Sequence, residues 1–145
     1  MPQEIFKEKS WNNFVSRDLA IIIPTKDRPL EIKRLLESIS NLDSEVGRVI
    51  VVASGENILD VVMKFSDEIP VEHYFSEPGQ IKQRNKGISL LNDSTKLVAT
   101  IDDDALFYKN SISEIIKFWN STKHDTAGVG FNIVNLPKHK HNFLK

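Results

Sequence analysis

The sequence predicts an α/β fold of the Rossmann-like kind: a mainly parallel sheet with helices on both faces. Three observations carry this expectation. From Leu19 onward, short apolar runs rich in β-branched residues alternate with amphipathic stretches of helical period. Strict alternation of strand and helix implies βαβ units with right-handed crossovers. The polar, flexible segments follow the strands, so they project from the one edge where open α/β sheets gather ligands.

The elements follow in order. "LAIIIP" (19–24) is short, apolar and ended by a proline, as a strand covered on both faces should be. In "RPLEIKRLLESI", Ile32, Leu35, Leu36 and Ile39 fall at i, i+3, i+4 and i+7, with Pro29 suited to a first turn and Asp27 to the cap. "RVIVVA" (48–53) predicts a second strand, 57–65 a second helix, and "VEHYF" (71–75) a third strand. "GQIKQRNKGISLL" (79–91) predicts a third helix, with Ile81 and Ile88 on one stripe, Arg84 and Asn85 between them on the inner face, and Lys82, Gln83 and Lys86 outside. "KLVATI" (96–101) reads as a strand, "SISEIIKFW" (111–119) as a helix and "AGVGFNIV" (127–134) as a last strand. The domain is thus expected over 18–134, between an N-terminal extension (1–17) and a tail (135–145).

A chain of 145 residues has room for one domain, burying roughly 68–70% of the surface its unfolded form exposes. No segment approaches the length of a membrane span, and the polar start lacks the apolar core of a secretory signal. Cysteine is absent, which excludes disulfides, thiol catalysis and cysteine zinc sites and is compatible with a cytoplasmic location. A net charge of -1 offers no field to attract nucleic acid or anionic lipid. Function therefore has to reside in local constellations.

The strongest of these is "ATIDDDALF", where three carboxylates follow an apolar run. Alternation along an extended chain sends Asp102 and Asp104 one way and Asp103 the other. Two converging carboxylates repel one another unless a cation joins them, and Mg²⁺ or Mn²⁺ is held by this kind of carboxylate pair together with substrate phosphates. Taken alone, an acidic triplet is more often a solvated turn, or a turn that one of its aspartates caps. Arg84 and Asn85 on an inner helix face would need partners, from the protein or a ligand. Gly79 after Pro78 would let backbone amides at a helix start approach an anion, or would simply form a turn. Lys26 and Arg28 after the first strand read alternatively as a solvated loop, and the Thr25 hydroxyl as a local bond to backbone. His139 and His141 alternate in "KHKHNF" and read as a basic tail; His73 and His124 receive no role.

In order and spacing, "LAIIIPTKDRPLEIKRLLESI", "RVIVVASGE", "GQIKQRNKGI" and "VATIDDDALF" resemble the first half of family-two glycosyltransferases with the GT-A fold, over residues 18–134. The resemblance implies an incomplete GT-A fold that binds a nucleotide-diphosphate sugar. It implies that Asp102 and Asp104 hold Mn²⁺ or Mg²⁺, with Asp102 and Asp103 at the ribose or diphosphate. It also places Thr25, Lys26 and Arg28 beside the nucleotide, Arg84 and Asn85 over its base or phosphates, and Gly79 at the anion. Where the family carries an acidic pair that reads the base, this chain has Ala53 and Ser54, with Glu56 nearby as a substitute.

The implied reaction is sugar transfer to an acceptor hydroxyl on a glycan, lipid or protein, inverting the anomeric centre, as in polysaccharide biosynthesis. No acidic residue follows Asp125, so the acceptor half and the catalytic base are expected to lie outside this chain. The alternative is a non-catalytic nucleotide-binding or partner-docking module; a receiver-type domain would need its acidic cluster after the first strand, where only Asp27 stands. An open sheet edge is expected to pair with a second copy.

Overall fold

The computed structural model describes residues 12–134. The flanking stretches, with His139 and His141 and most of the expected extension and tail, lie outside the described residues. A four-stranded, all-parallel sheet organises the chain, built from β1 (Leu19–Lys26), β2 (Arg48–Ser54), β3 (Val71–Phe75) and β4 (Leu97–Thr100) in the order β3-β2-β1-β4. The helices are α1 (Pro29–Ser40), α2 (Leu59–Met63), α3 (Gln80–Ser89) and α4 (Ser111–Ser121), and a 3-10 turn at Ser16–Asp18 leads into β1.

The central strands are buried on both faces, which explains why they read as unbroken apolar runs rather than alternating ones. Ile21, Ile23, Val49, Val51 and Ala53 join the apolar stripe of α1 and Val62 of α2 in the larger core, with Ile112 of α4. Ile22, Ile50 and Val52 face the other way, packed by Tyr74, Leu90 and Leu91 on the side covered by α3. Pro24 sits inside β1 at no cost to the ladder. The Ile22 carbonyl accepts from Ile101, so residues of the same parity aim at β4, and the paired stretch with β4 ends at Ile22–Thr100.

Three expectations fail for physical reasons. Asp27 does not cap α1, whose N-cap is Arg28 without a side-chain capping bond. Asp27 instead adopts φ 54, and its carboxylate turns away to accept the Glu56 backbone N–H at 2.7 Å. The 127–134 segment is not a strand: among the described residues no neighbouring strand pairs with it, and Val129, Phe131 and Ile133 are exposed. Phe131 instead sets its ring edge-on to Phe118 of α4, with centroids 5.8 Å apart. The buried stripe of α3 is not the one expected either: Ile81 and Ile88 are 74% and 50% exposed, and the buried residues are Gln83 and Gly87. A Cβ on Gly87 would stand 2.5 Å from Ile22 Cγ2, so the glycine permits an approach no other residue allows.

Part of the extension docks as an irregular arm. Asn12 donates to the Trp119 carbonyl, and Phe14 exchanges backbone bonds with the Asn120 side chain of α4. No helix among the described residues is long and apolar enough to cross a membrane.

Candidate functional site

Parallel strands deliver their carboxyl ends to one edge, and four loops meet there. After β1 come Lys26 and Arg28, after β2 Gly55 and Glu56, after β3 Gly79 at the N-cap of α3, and after β4 the three aspartates. A cleft of about 400 Å³ opens between the segments after β1, β3 and β4. Thr25, Lys26 and Arg28 line one side and Asp102, Asp103 and Asp104 the other, with Gly79, Gln80 and Gln83 from α3.

The expected alternation of the aspartates outlasts the strand that motivated it. Asp103 and Asp104 lie in a turn, closed by the Ala105 N–H on the Asp102 carbonyl, yet Asp103 is 5% exposed while its neighbours face solvent. Asp103 is fully engaged: the Thr25 hydroxyl donates to Oδ2 at 2.7 Å and Arg28 Nη1 to Oδ1 at 2.7 Å. Burial holds its carboxyl above the ordinary range, with the Thr25 hydroxyl and the Arg28 charge offsetting only part of that rise. The alternative reading of Thr25 as a backbone-bonding hydroxyl is therefore replaced by a side-chain clamp between β1 and the turn after β4.

Asp102 and Asp104 are differently placed. Asp102 Oδ1 accepts from Gln80 Nε2 at 3.0 Å and from Arg84 Nη2 at 2.7 Å. Asp104 lies 3.7 Å from Arg28 and is 62% exposed at its side chain. Among the described residues no three His, Cys, Asp or Glu side chains converge as a complete cation cage. The donor set nonetheless fits a hard divalent cation held by two carboxylates, with the remaining positions left to water and phosphate oxygens. Arg84 Nε is buried without a partner, an unmet donor beside that carboxylate.

A second clamp joins the loops after β1 and β2. Asp27 Oδ2 accepts from Lys26 Nζ at 2.8 Å while Oδ1 holds the Glu56 N–H, and these bonds keep its carboxyl below the usual range. Gly55, at φ 74, is required twice over, since a Cβ there would meet Asp27 Oδ1 at 2.1 Å.

Of the residues singled out from sequence, Thr25, Lys26, Arg28, Gly79, Asp102, Asp103 and Asp104 line the cleft. Arg84 reaches it through Asp102. Ser54 is buried and spends its hydroxyl on the Ser76 carbonyl at 2.7 Å, tying β2 to β3. Glu56 and Asn85 are exposed and do not line the cleft. Sequence reasoning missed Gln80 and Gln83. The spacing 80, 83, 87 marks one helical face, and the glycine at 87 was the available signal that this face, rather than that of Ile81 and Ile88, meets the sheet.

A family model described as glycosyl transferase family 2 matches residues 20–141. No curated protein matches the chain. Among solved structures, S. aureus TarS resembles it with 22% identity and a TM-score of 0.61, over 69% of this chain and 19% of that one. The TarS 1-349 structure gives 23% and 0.63, over 69% and 31%. The same segment in complex with UDP-GlcNAc gives 24% and 0.60, over 69% and 30%. The chain therefore spans less than a third of each of these solved chains, and at such identity the likeness speaks for the fold.

Proposed function

Because the chain belongs to glycosyl transferase family 2, we propose that it is the nucleotide-sugar-binding portion of a divalent-cation-dependent glycosyltransferase. One observation carries the reading: exposed carboxylates at Asp102 and Asp104 face Lys26 and Arg28 across one cleft at the carboxyl ends of β1 and β4. A carboxylate pair suits a cation, here through Asp104 and the Asp102 oxygen other than the one Gln80 and Arg84 hold, and flanking cations suit a diphosphate, so both signs of charge at this edge have a use.

In this reading Asp102 and Asp104 hold Mn²⁺ or Mg²⁺, which when bound would neutralise charge on the departing nucleoside diphosphate. Lys26 and Arg28 bind the phosphates. Arg84, already at Asp102, turns its unpaired Nε to the same ligand. Asp103 works indirectly, holding Arg28 and the aspartate turn in place rather than touching metal. Transfer inverts the anomeric centre and needs a carboxylate base and an acceptor site, supplied by the part of such enzymes this chain does not span. The acceptor is a hydroxyl of a glycan, lipid or protein. The cytoplasmic location and edge-to-edge self-association belong to the same reading, the latter supported by β3 and β4, each paired on one side only among the described residues.

UDP-GlcNAc, carried by a structural neighbour, is the first donor to try. Thermal melting with UDP-GlcNAc, other nucleotide sugars and their diphosphates, with manganese and then with EDTA, tests the proposal. Ligand at a hundred times Kd adds about 2.7 kcal/mol, a visible rise in Tm. Asp104→Ala is expected to remove the manganese-dependent part of that rise. A rise that survives both EDTA and Asp104→Ala contradicts the metal assignment, and no rise with any nucleotide contradicts the reading as a whole.

A further inference from the structure

The N-terminal half of α3 carries Gln80 and Arg84 to the cleft, yet it contributes no buried apolar side chain, since the buried residues of α3 are Gln83 and Gly87. Its apolar anchors, Leu90 and Leu91, lie beyond its other end. At this end of the helix, apolar burial does not fix its position on the sheet. Gln83 supplies a polar pin: it is 3% exposed, and its Nε2 donates at 2.8 Å to the Thr25 carbonyl of β1 and at 2.8 Å to the Val52 carbonyl of β2.

We propose that Gln83 is a positioning residue that fixes α3 over the β1–β2 seam so that Gln80 and Arg84 hold Asp102 in its binding orientation. Gly87 acts with it from one turn further along, letting the helix settle against Ile22. The two contacts at Asp102 Oδ1 measure 3.0 and 2.7 Å, so a displacement of α3 by about 1 Å takes both out of hydrogen-bond range. Both bonds from Gln83 Nε2 go to the sheet rather than to the aspartates, although the side chain also borders the cleft. The Arg84 readout without ligand therefore isolates the effect that passes through the helix. The consequence for binding rests on the nucleotide-diphosphate reading given above; the consequence for Arg84 does not.

Gln83→Met keeps length and apolar volume but removes both donated bonds, and Gln83→Asn keeps the amide on a side chain too short to bridge the two strands. Each variant is compared with the wild type by urea unfolding, by NMR of the Arg84 side-chain N–H groups without ligand, and by calorimetric titration of UDP with Mn²⁺ at a temperature where every protein is folded. Expected are folded variants whose Arg84 signals shift and exchange faster, and whose Kd for UDP is at least tenfold weaker. Folded variants with unchanged Arg84 signals overturn the proposal, whatever happens to UDP. If Gln83→Met does not fold, Gln83→Asn decides by the same readouts. Should the wild type itself fail to bind UDP, the functional reading falls while the NMR comparison still judges Gln83.

Discussion

Replacing Thr25 by valine tests the clamp beneath the cleft. The two side chains have the same shape, so the substitution deletes one hydroxyl and leaves the packing intact. Thr25 is 3% exposed and its hydroxyl is 2.7 Å from Asp103 Oδ2, while Arg28 holds only the other oxygen. Oδ2 is thus left without that donor on a residue only 5% exposed. A hydrogen bond to a charged group contributes about 1.5–3 kcal/mol, so Thr25→Val should cost about 2 kcal/mol. For a chain of this length that corresponds to a fall in Tm of about 5–10 °C. Thr25→Ser keeps the donor and loses one methyl, worth about 0.8 kcal/mol, and should be the milder change. Urea unfolding with unchanged m-value measures both. If Thr25→Val matches the wild type, or if Thr25→Ser is the worse of the two, Asp103 is not held by this hydroxyl and the account of the aspartate turn is wrong.

Three further outcomes follow from the geometry. Gly87→Ala forces a Cβ to 2.5 Å from Ile22 Cγ2, and overpacking of about 1–3 kcal/mol should outweigh the roughly 1 kcal/mol that alanine gains in a helix, so calorimetry should find the variant less stable. Glu72 is held below its ordinary pKa of 4.5 by its bonds from Arg48, with Tyr74 assisting, so its contribution is complete above that pH and is lost as pH falls through the lowered value; the stability gap between wild type and Arg48→Met should narrow there to what the Arg48 bond to the Leu90 carbonyl contributes. His73 carries a buried Nε2 without a partner, and burial lowers its pKa below 6.5. The neutral ring is therefore favoured in the fold, stability is full above 6.5 and falls as pH drops below it, and His73→Leu should flatten the pH 5–7 stability profile.

What was legible in the sequence depended on how strongly burial constrained each residue. β1 and β2 are apolar on both faces and could be little else, and the stripe Ile32, Leu35, Leu36, Ile39 allows only one inward face for α1. The opposite exposure of Asp103 and its two neighbours was legible because alternation continues past Thr100. α3 misled because its two isoleucines suggest an apolar face, while the real contact is made by a glycine and a glutamine, whose value lies in close approach and hydrogen bonds that a hydropathy pattern does not register. Residues 127–134 misled in the opposite sense: their alternation is that of a strand, but a strand also needs a neighbour, and sequence period carries no information about one. Asp27 was read as a local cap, whereas its bond to Glu56 spans 29 residues of sequence and becomes visible only once β1 and β2 are side by side.

The central claim is that Asp102 and Asp104 bind a divalent cation together with a nucleoside diphosphate. Free Mn²⁺ measured by electron paramagnetic resonance, with protein alone and then with UDP added, tests it most directly. The account predicts that UDP and protein together deplete the free-ion signal more than either does alone, and that Asp102→Asn combined with Asp104→Asn abolishes the excess. An excess undiminished in the double variant, or none in the wild type while UDP still binds in EDTA, would contradict it.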